Sequence, residues 1–125
     1  MQATNAVRKL LADNEQVYIT AQNLVEFWAV ATRPVAANGF GWDTGRVATQ
    51  IELIVKQFRM LEDSPDIFTH WWQLVTSQKV SGKRTHDARL VAVMLAHGIT
   101  HLLTFNTQDF KNFSGIVLVH PDDIV

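Results

Sequence analysis

The sequence predicts an α/β fold with a mostly parallel sheet, and three observations predict it. Short runs rich in β-branched and aromatic residues alternate with longer segments of helical period, the order that lays helices over parallel strands. The late runs His101-Leu102-Leu103-Thr104-Phe105 and Ile116-Val117-Leu118-Val119 are almost continuously apolar, as strands covered on both faces are. Finally, 125 residues with 47% hydrophobic and 18% charged side chains suit one domain with a sizeable core and exclude a disordered segment.

Taken in order, Ala3 to Ala12 places Ala3, Val7, Leu10 and Leu11 at helical spacing and stops at Asp13-Asn14. Gln16-Val17-Tyr18-Ile19-Thr20 reads as a strand. Thr20 then caps a helix from Ala21 to Thr32, which ends before Pro34 because a residue preceding proline is pushed out of helical geometry. Arg33 to Gly45 is a surface connection. Asp43 or Thr44 caps a helix through Phe58, with Val47, Ile51, Ile54, Val55 and Phe58 in period. Ser64 caps the next, Pro65 occupies its first position, and Ile67, Phe68, Trp71, Trp72, Leu74 and Val75 follow. Thr85 caps a third, which ends at His97-Gly98, a cation and then a glycine.

Composition removes several classes of function. A formal charge of -1 excludes a global basic field of the kind that drives non-specific nucleic-acid binding. Zero cysteines exclude disulfides, thiol catalysis and thiolate zinc sites. The first residues lack the apolar core of a signal peptide, and no run approaches the ~18 apolar residues of a membrane span, so a cytoplasmic protein without a membrane partner is expected. His97 and His101 are separated by helix-breaking Gly98, which denies them the spacing of a helical zinc site. No Gly-x-Ser-x-Gly turn is present, and Ser81-Gly82-Lys83 lacks the preceding glycine of a nucleotide-binding loop.

Three carboxylates stand out. Glu26 lies among Leu24, Val25, Phe27 and Trp28, where an unpaired buried charge would cost several kcal/mol unless that face turns to solvent. Asn23 shares its face one turn earlier. Asp87 precedes Leu90, Val91, Met94 and Leu95 by helical intervals, which places it on the core-facing stripe in a first turn. Asp109 follows the strand Leu102 to Phe105, and ligands of open α/β sheets gather at such carboxyl ends. Two carboxylates ~4 Å apart repel by about 4 kcal/mol at an effective dielectric of 20, so three converging acids call for a divalent cation. Oxygen donors alone point to Mg²⁺ or Mn²⁺. Lys79, Lys83, Arg84 and Arg89 form a basic stretch around Asp87, and His86 stands beside it, so these could position phosphates.

The segments Thr20 to Pro34, Thr85 to Ala92 and Leu103 to Phe110 together resemble the PIN-domain ribonucleases, in particular the VapC-type toxins of bacterial toxin–antitoxin pairs. The resemblance runs over nearly the whole chain, as one PIN-like domain over residues 1–125. It implies a three-layer α/β/α fold and a metal-dependent endoribonuclease, with RNA as substrate, Mg²⁺ or Mn²⁺ as cofactor, a cognate antitoxin as partner and a homodimer as the assembly. Glu26, Asp87 and Asp109 match the family's catalytic, metal-binding acids. Thr104 and Asn106 match the polar positions beside the last acid, and Asn23, Arg84 and His86 are the expected supporting or substrate-binding residues.

Family members open with a strand that ends in an aspartate followed by Thr-Asn. Here Thr4-Asn5 stands too close to Glu26 to be that motif, and Ala3 to Ala12 aligns with the family's first helix, so the opening, central strand is expected to be missing. With it would go one metal ligand, which impairs the enzyme. A second reading is therefore a catalytically inactive remnant that dimerises and binds the antitoxin, using aromatic residues such as Phe40 and Trp42 as anchors. The gap would be closed either by direct pairing of the two flanking strands or by a second protomer, and a dimer through Ala3 to Ala12 and Ala21 to Thr32 is favoured.

Overall fold

A computed structural model describes residues 2–124, with side chains from residue 5 onward, so Ala3's expected place on its helical stripe lies outside the described side chains. Six α-helices and four strands occur among the described residues, in the order α1 Gln2–Ala12, β1 Tyr18–Thr20, α2 Ala21–Thr32, α3 Thr44–Gln57, β2 Arg59–Leu61, α4 Pro65–Ser77, α5 Arg84–His97, β3 His101–Leu103, α6 Thr107–Phe110 and β4 Val117–Val119. The chain divides into two compact units, a small one of residues 17–62 and a large one made of the residues up to 16 and from 63 on.

In the small unit β1 and β2 are parallel, with Tyr18 opposite Arg59, Ile19 opposite Met60 and Thr20 opposite Leu61. Parallel neighbours need a crossover, and α2 and α3 supply it, packed on each other and each on a strand. The turn from β1 into α2 is built by a reciprocal cap. Asn23 N–H donates to Thr20 Oγ1 at 3.1 Å, and Thr20 N–H donates to Asn23 Oδ1 at 2.9 Å, which satisfies two donors at a helix start. The connection after α2 folds back on it: Phe40, Gly41 and Trp42 N–H groups donate to the Val30, Arg33 and Ala31 carbonyls, which the end of the helix would otherwise leave without partners. Gly39 is required there, because a Cβ would collide with the Arg33 carbonyl. Val47 and Ala31, both fully buried, form the centre of this unit.

In the large unit the core is α5. Ala88 and Leu90 through Met94 are buried along it, and α4 packs against it with Ile67 and Leu74 buried. β3 and β4 pair in parallel, Leu102 opposite Leu118, joined through α6, which packs on both β4 and α5. Ala6 of α1 is buried, and α1 packs on the short turn Pro121–Asp123.

Several expectations are corrected. α5 begins at Arg84 with Lys83 at its N-cap and no side-chain cap. Thr85 is thus inside the helix, where its carbonyl accepts the Trp71 Nε1–H at 3.1 Å. The strand β2 was not foreseen, since three residues carry no periodicity. The strands are shorter than expected, and His101 and Val117 are exposed, so β3 and β4 are not covered along their whole length. Among the described residues the four strands form two two-stranded sheets, one in each unit.

Thr20→Ala removes the buried half of the reciprocal cap and is expected to lower stability by about 1–2 kcal/mol, with Thr20→Ser close to wild type. Urea unfolding checks both. Gly39→Ala is expected to lower it by about 1–3 kcal/mol through the clash with the Arg33 carbonyl.

Candidate functional site

The carboxyl end of the β3–β4 pair is built by the turn out of β3. Thr104 N–H extends the ladder to the Val119 carbonyl at 3.0 Å, and Thr104 Oγ1 accepts the Asn106 N–H at 3.0 Å. That bond folds the chain sharply enough for α6 to begin at Thr107. Asp109 lies in α6 and its N–H donates to the Asn106 carbonyl at 3.1 Å. The Asn106 side chain makes no cap bond. Asp109 is half-buried, between the exposed Gln108 and the buried Phe110.

Asp87 is likewise half-buried, in the first turn of α5. Ala88, Leu90 and Val91 are buried beside it, and the helix dipole favours the ionised carboxyl at this end. Arg84 opens the same helix with its guanidinium 5.1 Å from the centre of the Phe113 ring, and His86 is exposed. Since α6 packs on α5, the elements that carry Asp87 and Asp109 are neighbours in one unit.

Glu26 has a different environment. It is exposed on α2 in the small unit, where Oε1 accepts the Gln22 Nε2–H at 3.3 Å, so its apolar sequence neighbours do not bury it. Asn23 commits its Oδ1 to the cap described above. Among the described residues, no three or more His, Asp or Glu side chains form a group that could hold a metal ion.

Sequence reasoning passed over His120. It follows β4 directly, with its ring edge-on to Phe105 at 5.4 Å between centroids. Its Nδ1 accepts the Asp122 N–H at 3.0 Å, which in the neutral ring leaves the proton on Nε2. The Asp122 carboxylate is farther, at 3.6 Å from the same nitrogen. Its place after the last strand's carboxyl end was the available signal.

The PIN domain family model matches residues 2–116, which spans the elements that carry all three acids. The chain belongs to the PIN domain family. Among solved structures, this PIN domain is similar to VapBC-1 from nontypeable Haemophilus influenzae, with a TM-score of 0.65 and 16% sequence identity over 87% of this chain and 77% of that one. At that identity the likeness is one of fold. No curated protein matches the chain in sequence. Among the described residues of this PIN domain no helix is long and apolar enough to cross a membrane.

Because Glu26 is exposed, Glu26→Gln is expected to change stability by less than about 0.5 kcal/mol, as read by denaturant unfolding. A larger loss would show a structural role that its exposed position denies.

Proposed function

We propose that this PIN domain is a ribonuclease of the VapC toxin type, which cleaves RNA phosphodiester bonds in the cytoplasm, and that residues 1–125 act as a single such domain. The observation that supports it most is the placement of Asp87 and Asp109, two half-buried carboxylates on packed helices, the second just beyond the carboxyl end of β3. Their donor chemistry fits Mg²⁺ or Mn²⁺, since Mg²⁺ keeps several waters and is held by one or two carboxylates plus substrate phosphates. Asp87 and Asp109 would hold the ion. When bound, such an ion lowers the pKa of a water and offsets charge on the phosphate.

The chain's own residues have separate tasks in this reading. The first turn of α5 supports the ionised state of Asp87. The Thr104–Asn106 turn fixes where α6 starts and with it the position of Asp109. Arg84 and His86 flank Asp87 with groups that can donate to phosphate oxygens. A cognate antitoxin and a second copy of the chain are the proposed protein partners. The exposed Val25 and Trp28 on α2 offer apolar surface to the latter.

The exposed setting of Glu26 and its bond to Gln22 favour a second reading, in which the domain is an inactive remnant that dimerises and binds the antitoxin. Calorimetric titration with Mn²⁺ separates the two. The first reading expects binding by the full chain that is weakened tenfold or more, on the order of 1.4 kcal/mol, in Asp87→Asn and in Asp109→Asn. Equal affinities in all three proteins would sink the shared site. A wild-type chain that binds no Mn²⁺ and sediments as a dimer selects the second reading.

A further inference from the structure

The flank of α4 that does not face α5 carries two large aromatic rings in water. Ile67 and Leu74 are buried, whereas Phe68 is 64% and Trp72 54% exposed. Phe68 and Trp72 lie four residues apart on one helix, so they share a face, and their rings are within 17° of parallel with centroids 6.2 Å apart. Trp71 adjoins both, at 5.9 and 6.4 Å. Beside them runs a groove of about 360 Å³, lined by Ser64, Ile67, Phe68 and Trp71, with the ion pair of Asp63 and Arg89 on its border.

This aromatic face is tied to a basic segment. Trp71 Nε1–H donates to the carbonyl of Thr85, which joins α4 to the start of α5. Between residues 79 and 89 stand Lys79, Lys83, Arg84 and Arg89, with Asp87 as the only carboxylate. The chain as a whole is net negative, so this segment is a local reversal of sign. Arg89 shares its charge with Asp63 at 3.4 Å, and the half-buried Arg84 lies over the Phe113 ring, which leaves the exposed Lys79 and Lys83 as the main electrostatic contribution.

We infer that the α4 face and the start of α5 together form a stacking platform for single-stranded RNA, with bases laid on Phe68 and Trp72 and phosphates met by Lys79 and Lys83. Exposed rings on a helix tied to a basic segment suit unpaired bases and a phosphate backbone, and they do not require a particular sequence. A protein partner fits less well. A stable interface buries about 800 Å² on each side, and two rings of about 150–250 Å² each, little more than half exposed, supply about a quarter to a third of that. The inference adds to the ribonuclease reading by saying where the strand is held, but its test needs neither metal nor cleavage.

The test measures binding of a fluorescein-labelled, ten-nucleotide single-stranded RNA to the full chain in EDTA, by anisotropy, against a duplex of the same sequence. The single strand is expected to bind more tightly than the duplex. Phe68→Ala with Trp72→Ala should weaken that binding about tenfold or more, while Trp72→Phe retains it and thereby controls for folding. Lys83→Gln should reduce the slope of log K against log salt by about 0.7. Binding by the double variant within twofold of wild type, a preference for duplex, or no binding by the wild type overturns the platform. So does a double variant that loses self-association in sedimentation while its RNA affinity is unchanged. None of these results bears on Mn²⁺ binding by Asp87 and Asp109, so the platform and the ribonuclease reading fail separately.

Discussion

α5 is apolar on nearly every side, and this constrains the large unit more than any other feature. Leu90 through Met94 are buried one after another, so the middle of the helix has no face left for water and must be surrounded. α4 covers one side through Ile67 and Leu74, and α6 covers another. Polar groups are thereby confined to the ends. Lys83, Arg84, His86, Asp87 and Arg89 cluster at the beginning, and the chain leaves at the other end through Gly98, whose φ of 69° suits glycine. The first turn is where a negative charge is stabilised by the dipole. The apolar character of the middle of α5 and the chemistry at its start are thus two sides of one packing solution.

Parallel pairing imposes the second constraint. Each pair needs a crossover, so β1 and β2 are joined through α2 and α3, and β3 and β4 through α6. In each case the carboxyl end of the first strand runs straight into a turn whose hydrogen bonds decide where the next helix starts. After β1 the bonds are those between Thr20 and Asn23. After β3 the bond is the one that Asn106 N–H makes to Thr104 Oγ1. Residues chosen for these turns also stand where ligands of α/β sheets bind. Asn23 and Thr104 illustrate the ambiguity this creates: both were singled out as supporting a site, and both use their side chains to shape the backbone.

The four tryptophans show how far aromatic residues can be from a simple core. Trp28 and Trp72 are exposed, and Trp42 and Trp71 are half-buried. Trp42 holds Phe40 at 5.2 Å and the Arg46 guanidinium at 3.8 Å, so its ring is divided between an apolar contact and a cation–π contact. Trp71 buries much of its ring and satisfies its N–H on Thr85, as a half-buried indole should.

The sequence by itself determined the five long helices but not the four-residue α6, because periods of ten or more residues with Thr20, Asp43, Ser64-Pro65 and Gly98 at their ends are strong local signals. It also determined the family, since the segments around Glu26, Asp87 and Asp109 carry the resemblance that the match over residues 2–116 bears out. The tertiary structure decided what lacks a local signature. Arg59–Leu61 becomes a strand because β1 lies alongside to take its hydrogen bonds. Thr85 is drawn inside α5, whose N-cap lies two residues earlier than expected, and its carbonyl meets Trp71 fourteen residues away in sequence. Glu26 has apolar sequence neighbours and Asp87 stands in a basic stretch, yet it is Glu26 that is exposed and Asp87 that is half-buried. The difference lies in which helix faces find a partner, and that is a property of packing between elements rather than of any stretch of chain.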